Sequence, residues 1–281
     1  MQLHEAIVAA GMTPPREFRL GRFVRFPGCG KQRGNSAGWC KLITPTMAVF
    51  GDWSTGLSET WKDDSHHDDA ESRRLERAAR EEARRRAQAD AKRALEVERQ
   101  AARMLTEAKY DTHPYLVAKG FKHTLGLTWN GKLLVPIRAV EDYSRILSMQ
   151  IIGTDGEKRF LTGGRVKGGI HRLGPATAPR VALCEGFATG LTLKSALDCL
   201  PGPWAVVVCF SAGNMITVAQ EFPSAVVCAD NDASKTGENA ARATGLRWVM
   251  PPEAGDFNDL QCSRGVVGKS YVSQLLWSAC G

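Results

Sequence analysis

The sequence contains no apolar run near the roughly 18 residues that a membrane-spanning helix requires. The stretch nearest to a secretory leader, AIVAAGM at residues 6–12, is too short and follows His4 and Glu5 instead of a basic start. Neither a span nor an export signal is expected. Close pairs of cysteine are also missing. The eight cysteines, at 29, 40, 184, 199, 209, 228, 262 and 280, are scattered, and three lie inside apolar runs, which is the usage of a reducing cytoplasm. Tetrahedral metal spacing is absent for the same reason: Cys29 and Cys40 stand alone, His66 and His67 fall in another segment, and zinc is not expected. Gly265 to Ser270 (GVVGKS) looks like a phosphate-binding loop, but its first Gly is two residues too close, which excludes an ATPase site. Glycine and proline are missing altogether from residues 68–109.

What is present divides the chain into segments. Thirty-seven Lys and Arg against thirty Asp and Glu leave a net charge of +7, a surplus that favours polyanionic partners such as nucleic acid. Residues 1–65 read as a small β-rich module: a short helix, then strands near 22–26, 38–43 and 47–53 separated by Gly, Pro and Asn turns. Aromatic residues are only 7 % of the chain, but here they interleave with bases. Ring faces stack on unpaired bases while Lys and Arg follow phosphates, so Arg25, Lys31, Arg33, Trp39 and Trp53 are candidates for binding single-stranded DNA. The competing reading is that most of the rings, which are Phe23, Phe26, Trp39, Phe50, Trp53 and Trp61, fill the core that so small a module needs.

Residues 66–109, rich in Ala, Arg and Glu, predict one long charged helix, mostly solvated, that spans roughly 60 Å as a linker. Residues 110–179 predict a basic α+β segment. A short helix at 115–121 closes on a Gly, strands follow at 132–139 and 145–153, and a Gly-rich stretch carries Lys158, Arg159, Arg165, Lys167 and Arg172. Glycine lets such a backbone come close to phosphates and the bases neutralise their charge, although an ordinary hairpin with a basic edge has the same composition.

From residue 180 to 262, short apolar runs alternate with helical patterns, which predicts a parallel sheet with crossover helices. In such a sheet the loops after the strands share one edge, where ligands bind. Glu185 follows one run and Asp230 and Asp232 follow another, so three carboxylates converge there. They repel one another unless a cation lies between them, and hard oxygen ligands describe Mg²⁺ or Mn²⁺. Helix capping is the competing reading for any one of these acids. Residues 263–281 are expected to be a carboxy-terminal tail.

Glu185-Gly186 after one strand, Asp230-Asn231-Asp232 after a later one, Ser211-Ala212-Gly213 between them and the GDFNDL run at 255–260 together resemble the TOPRIM family, whose fold is shared by primases, topoisomerases and some nucleases. Upstream, YLVAKGF at 115–121, LVPIR at 134–138 and the basic Gly-rich stretch resemble the segment that precedes this domain in phage and plasmid primases. The resemblance implies a TOPRIM Rossmann-like α/β domain behind a β-rich module and a long helix. It implies Glu185 as general acid or base, Asp230 and Asp232 as catalytic metal ligands with Asp256 beside them, and Asp259 in a lesser role. Arg138, Lys158, Arg159, Arg165 and Lys167 become candidates for holding nucleotide or template. The activity implied is a DNA primase making short RNA primers from NTPs on single-stranded DNA in a bacterial host cell, for phage, plasmid or mobile-element replication. Its replicative helicase is expected as a separate chain, docked through the long helix or the tail. The alternatives are a TOPRIM nuclease using the same cluster, and a non-catalytic replication accessory that binds nucleic acid.

Overall fold

The computed structural model of the chain describes residues 2–31, 34–63 and 69–280 and separates into two units, Met1–Ala89 and Asp90–Gly281. Arg33, His66 and His67 lie outside the described residues. In the first unit, α1 (Leu3–Ala9), closed at its start by reciprocal bonds between Gln2 and Glu5, precedes β1 (Phe23–Phe26), β2 (Gly38–Thr44), β3 (Met47–Asp52) and β4 (Leu57–Lys62). The strands pair antiparallel in sequence order. Their alternation sends Phe26, Cys40, Ala48, Phe50 and Trp61 to one face, where Leu3, Ile7 and Met12 close over them. Phe26, Phe50 and Trp61 therefore fill the core that a small module needs. Phe23, Trp39 and Trp53 lie outside it. Burial pushes the Cys40 thiol up to about 11, so it remains a protonated core group.

α2 (Asp69–Glu107) runs through the division between the units. Its last turns differ from the solvated stem that its charge suggests. Val97, Ala101 and Met104 share one face at helical spacing and are buried, with Ala101 and Met104 packed against Leu134 and Met149 of the sheet that follows. Glu98 pairs with Arg145 at 2.6 Å. The alanines that seem too small to hold a seam are what let the helix approach the sheet closely.

That sheet has ten strands: β5 (Lys109–Asp111), β6 (Gly126–Trp129), β7 (Lys132–Ala139), β8 (Ile146–Ile152), β9 (Lys158–Phe160), β10 (Gly169–Leu173), β11 (Arg180–Cys184), β12 (Trp204–Val208), β13 (Val226–Cys228) and β14 (Arg247–Val249). They lie in the order β14-β13-β11-β12-β10-β7-β6-β5, with β8 on β7 and β9 on β8. The last four strands pair parallel, and β10 joins β12 antiparallel, which fuses the basic segment to the parallel part. The helices of this unit are α3 (Pro114–Ala118), α4 (Phe187–Leu197), α5 (Ala212–Ala219), α6 (Thr236–Thr244), α7 (Phe257–Ser263) and α8 (Gly268–Cys280).

α4 packs with α7 and α8 over one side of the parallel strands, and α5 and α6 contribute to a separate core cluster on the other. Strands covered on both faces need unbroken apolar runs, which is why VALC, WAVVV and VVC read as they do. α8 is part of this packing and not a free tail. Val272 and Leu276 are buried, and Ser273 Oγ donates to the Ala196 carbonyl at 2.8 Å. The GVVGKS run forms a short 3₁₀ turn and the first turn of α8. Among the described residues no helix is long and apolar enough to cross a membrane.

Candidate active site

Chain order and spatial order part company between β11 and β13. From β11 the chain crosses to β12 on one side, and from β12 it crosses back to β13 on the other. The loops leaving β11 and β13 therefore diverge, opening a crevice at the carboxyl ends of two neighbouring strands. Glu185 directly follows β11, and Asp230 lies two residues after β13. An antiparallel bridge between Asn231 and Gly255, with N–H to O distances of 3.0 and 2.9 Å, draws the loop after β14 to the same edge and brings Asp256 with it. Asn231 also donates from Nδ2 to the carbonyls of Pro251 and Glu253 at 3.0 and 3.1 Å, so the middle residue of the Asp-Asn-Asp run clamps that loop.

The acids are not equivalent. Asp232 serves the start of α6: it accepts from the Thr236 N–H at 3.2 Å, the Gly237 N–H at 3.1 Å and the Ser234 hydroxyl. These bonds, the Ser234 hydroxyl foremost, lower its pKa. Gly237 is required here, because a Cβ would stand 2.5 Å from the Asp230 carbonyl oxygen. Asp256 caps α7, its Oδ1 accepting from the Asn258 and Asp259 N–H groups at 2.7 and 2.9 Å, and its Oδ2 takes the Thr189 hydroxyl at 3.1 Å. Capping is thus a real occupation of both residues. It leaves lone pairs free, since each carboxylate oxygen can accept more than one bond.

Asp230 has a different environment. Its Oδ1 is buried and has no hydrogen-bond partner. Burial, then the charges of Asp256, Glu185, Asp232 and Asp259, push its pKa up to about 7. Glu185 is raised as well, by burial and then by Asp232, against a hydrogen bond from the Ala212 N–H and the charge of Lys158. That N–H sits where it does because Ser211 caps α5 through the Asn214 N–H at 3.1 Å. The preceding residue, Phe210, takes a left-handed φ of +67°, a conformation that is an outlier for so bulky a side chain and that clusters at functional sites.

Of the basic candidates, Lys158 faces this cluster, and its Nζ stands 5.6 Å from the centre of the Tyr115 ring. The three arginines among the others have local partners. Arg138 donates to the carbonyls of Tyr143 and Ser144 at 3.3 and 3.0 Å, Arg159 pairs with Glu157 at 2.8 Å, and Arg165 bonds the Lys167 carbonyl at 2.9 Å and pairs with Glu141 at 3.4 Å. Residue-by-residue reading of the sequence passed over Tyr115, Lys119 and Thr189. Asn258 Nδ2 donates to the Lys119 carbonyl at 2.9 Å, which pins the turn after α3 to α7. Lys119 then pairs with Asp259 at 3.4 Å and senses Asp256. Tyr115 is buried with its hydroxyl unpartnered, and the Asp256 charge helps raise its pKa after burial. The signal was available: YLVAKGF places Tyr115 and Lys119 one helical turn apart, on one face.

Residues 180–266 match the family described as "Toprim domain". Over β11 to β14 and α4 to α7 the chain thus resembles a Toprim domain. Two curated relatives, both DNA primase TraC of Escherichia coli, align with the chain, one at 28 % identity over 226 residues and the other at 31 % over 160. The alignments cover 70 % and 49 % of this chain, and the chain spans about 15 % of the length of either relative. Among solved structures, the primase fragment of the bacteriophage T7 primase-helicase protein aligns with a TM-score of 0.43 at 13 % identity, covering 60 % of this chain and 75 % of that one.

The acids of the Toprim domain suit a hard divalent cation. A buried carboxylate oxygen without a partner, among four further carboxylates and with its pKa raised by burial and then by their charge, is a donor set that suits a cation. Among the described residues no three His, Cys, Asp or Glu side chains are grouped closely enough to hold a metal ion between them.

Proposed function

We propose that this chain is a DNA primase that joins ribonucleotides on a single-stranded DNA template, in the bacterial cytoplasm, during replication of a phage, plasmid or mobile element. The observation that carries the reading is the unpartnered, charge-stressed Asp230 beside Glu185 at the switch point of a Toprim domain. The relatives' name, DNA primase, supports the choice of reaction.

In this reading Asp230 and Asp232 hold Mg²⁺ or Mn²⁺, with Asp256 alongside. The ion supplies charge stabilisation for the attacking and leaving oxygens of an in-line displacement. Glu185, made a better proton acceptor than a free carboxylate by burial and by Asp232, takes the proton from the attacking 3′-hydroxyl or returns one to the leaving group. Lys158 and Lys119 flank the acids and orient the triphosphate, while Arg138, Arg159, Arg165 and Lys167 serve template or nucleotide further out. Arg25, Lys31, Trp39 and Trp53 serve as template-binding residues of the amino-terminal unit, and Arg33 is a candidate on its sequence alone.

The test is to incubate the full chain with single-stranded DNA, labelled NTPs and Mg²⁺ or Mn²⁺. Short oligoribonucleotides are expected from the wild type and none from Asp230→Asn. Degradation of the DNA without synthesis would replace this reading with a nuclease.

A further inference from the structure

A four-stranded sheet has two faces, and the core of the amino-terminal unit uses only one. Alternation along the strands puts Phe23 and Arg25 of β1, Trp39 and Lys41 of β2, and Val49 and Gly51 of β3 on the other. The registers Phe23↔Lys41, Arg25↔Trp39 and Trp39↔Gly51 make these residues direct neighbours across the strands. Trp53 follows β3 and is tied to the same region by its N–H, which donates to the Ala37 carbonyl at 2.9 Å.

The three rings form a connected group. Phe23 and Trp39 are stacked with centroids 5.6 Å apart and planes 12° apart, Trp39 and Trp53 are 5.3 Å apart, and Phe23 and Trp53 are 6.3 Å apart. Gly51 makes room for this. A Cβ there would stand 2.0 Å from the Leu57 carbonyl oxygen of β4 and 2.8 Å from the Trp39 ring, so glycine serves both the pairing of β3 with β4 and the indole that lies across β3. A cluster that served the stability of the fold would be covered, yet Phe23 is 49 % exposed and Trp53 61 % exposed. Charge on this face has one sign. Arg25 and Lys41 are exposed beside the rings, and Lys62 shares their register, while the acids of these strands, Asp52 and Glu59, fall at the alternate positions.

We infer that the open face of this sheet is a stacking platform for the unpaired bases of a single strand, with Phe23, Trp39 and Trp53 taking the bases and Arg25 and Lys41 the flanking phosphates. Exposed rings on a four-stranded sheet with a basic surround are the means by which sheet-based modules hold single strands, because every base has a π-face and every linkage a negative charge. The ligand class rests on the template reading above, but the platform does not depend on what the Toprim domain catalyses. It adds Phe23 and Lys41 to the residues expected from the sequence. Lys31 lies on the loop after β1 and is not part of it.

Fluorescence anisotropy of a labelled oligothymidylate with the full chain tests the platform, alongside a strand of equal length whose sites are abasic. Wild type is expected to bind the abasic strand about tenfold or more weakly than the oligothymidylate. Phe23→Leu and Trp53→Leu keep apolar bulk, remove the ring, and are expected to lower oligothymidylate affinity by a similar factor with the thermal transition unchanged. Lys41→Gln is expected to reduce the slope of log affinity against log salt by about one. Binding is read without NTPs or divalent cation, so a failure of primer synthesis leaves this result standing. Equal binding of the two strands by wild type overturns the platform, as does unchanged binding by both leucine variants. A change in oligomeric state without a change in binding also overturns it and makes the face a contact between copies.

Discussion

Asp52, the last residue of β3 in the amino-terminal unit, and Asp230, just after β13 in the Toprim domain, both lie at the carboxyl end of a strand and both keep carboxylate oxygen away from solvent. Asp52 is surrounded by donors: the Cys29 N–H at 2.6 Å, and the Ser54 N–H and hydroxyl at 2.7 Å each. The Ser54 hydroxyl and these N–H groups hold its pKa below the usual carboxylate range. Asp230 has one oxygen with no donor and four acids around it, and its pKa rises to about 7. The difference separates a carboxylate that finishes a structure from one that is proposed to hold a metal ion. In the first, the loop bearing Cys29 has folded around the charge. In the second, the fold has collected charge without neutralising it, which a chain selected for stability alone has no reason to do.

The comparison breaks most visibly in activity. Asp230→Asn is expected to lower primer synthesis on the order of a thousandfold, the scale on which removing one preorganised electrostatic group acts. Measured in the oligoribonucleotide assay, a rate near wild type would remove Asp230 from the metal site. Asp52→Ala should have the opposite profile. It strips three donors of their acceptor, so the amino-terminal unit is expected to lose its cooperative thermal transition while the Toprim domain keeps its own. Calorimetry of the full chain separates the two. The sign of the stability effect is the sharper test. At about pH 8 the folded protein carries the charge on Asp230 at a cost, so Asp230→Asn is expected to stabilise it by about 1 to 2 kcal/mol after allowance for partial exposure. Divalent cation should raise the wild-type melting temperature and leave that of Asp230→Asn unmoved. Destabilisation by Asp230→Asn would mean that the carboxylate has a structural partner after all.

Much of this contrast could be read from the sequence, and the unread part has a physical cause. Glu185, Asp230 and Asp232 were placed on one edge because apolar runs of strand length alternate with helical patterns, which implies a parallel sheet, while Asp256 came only with the TOPRIM resemblance. Their inequality was not legible, because it depends on which backbone N–H groups the folded chain leaves free. Asp232 and Asp256 find such groups at the starts of α6 and α7, and Asp230 does not. The rings of the amino-terminal unit show the same limit. Composition gave aromatics among bases, but only the register of β1 to β3 sorts Phe26 and Phe50 inward and Phe23 and Trp39 outward. The end of α2 was misjudged because alanine carries no hydrophobic bulk in a pattern count, yet in contact it permits the closest packing.

A third titratable group on the same sheet supplies the smallest effect and the finest control. His171, in β10 beside Phe187, shares a hydrogen bond of 3.1 Å between its Nδ1 and the Pro136 carbonyl. Burial, which outweighs that bond and acts with the charge of Arg138, lowers its pKa from 6.5 to about 4. It is therefore neutral and partnered, where Asp52 is charged and partnered and Asp230 is charged and alone. Between those two pKa values the unfolded chain binds a proton that the folded chain refuses, so the contribution of His171 is whole above pH 6.5 and lost as pH falls toward 4. The slope from Asp230 runs the other way, because its raised pKa makes the folded state the better proton binder between 3.8 and about 7. Comparing His171→Gln with wild type isolates the histidine: the variant should lose about 2 kcal/mol less stability on acidification, measured by denaturant unfolding at each pH. Parallel curves through that window would show that His171 titrates as a free imidazole, and the burial argument applied to Asp230 would then lose its control.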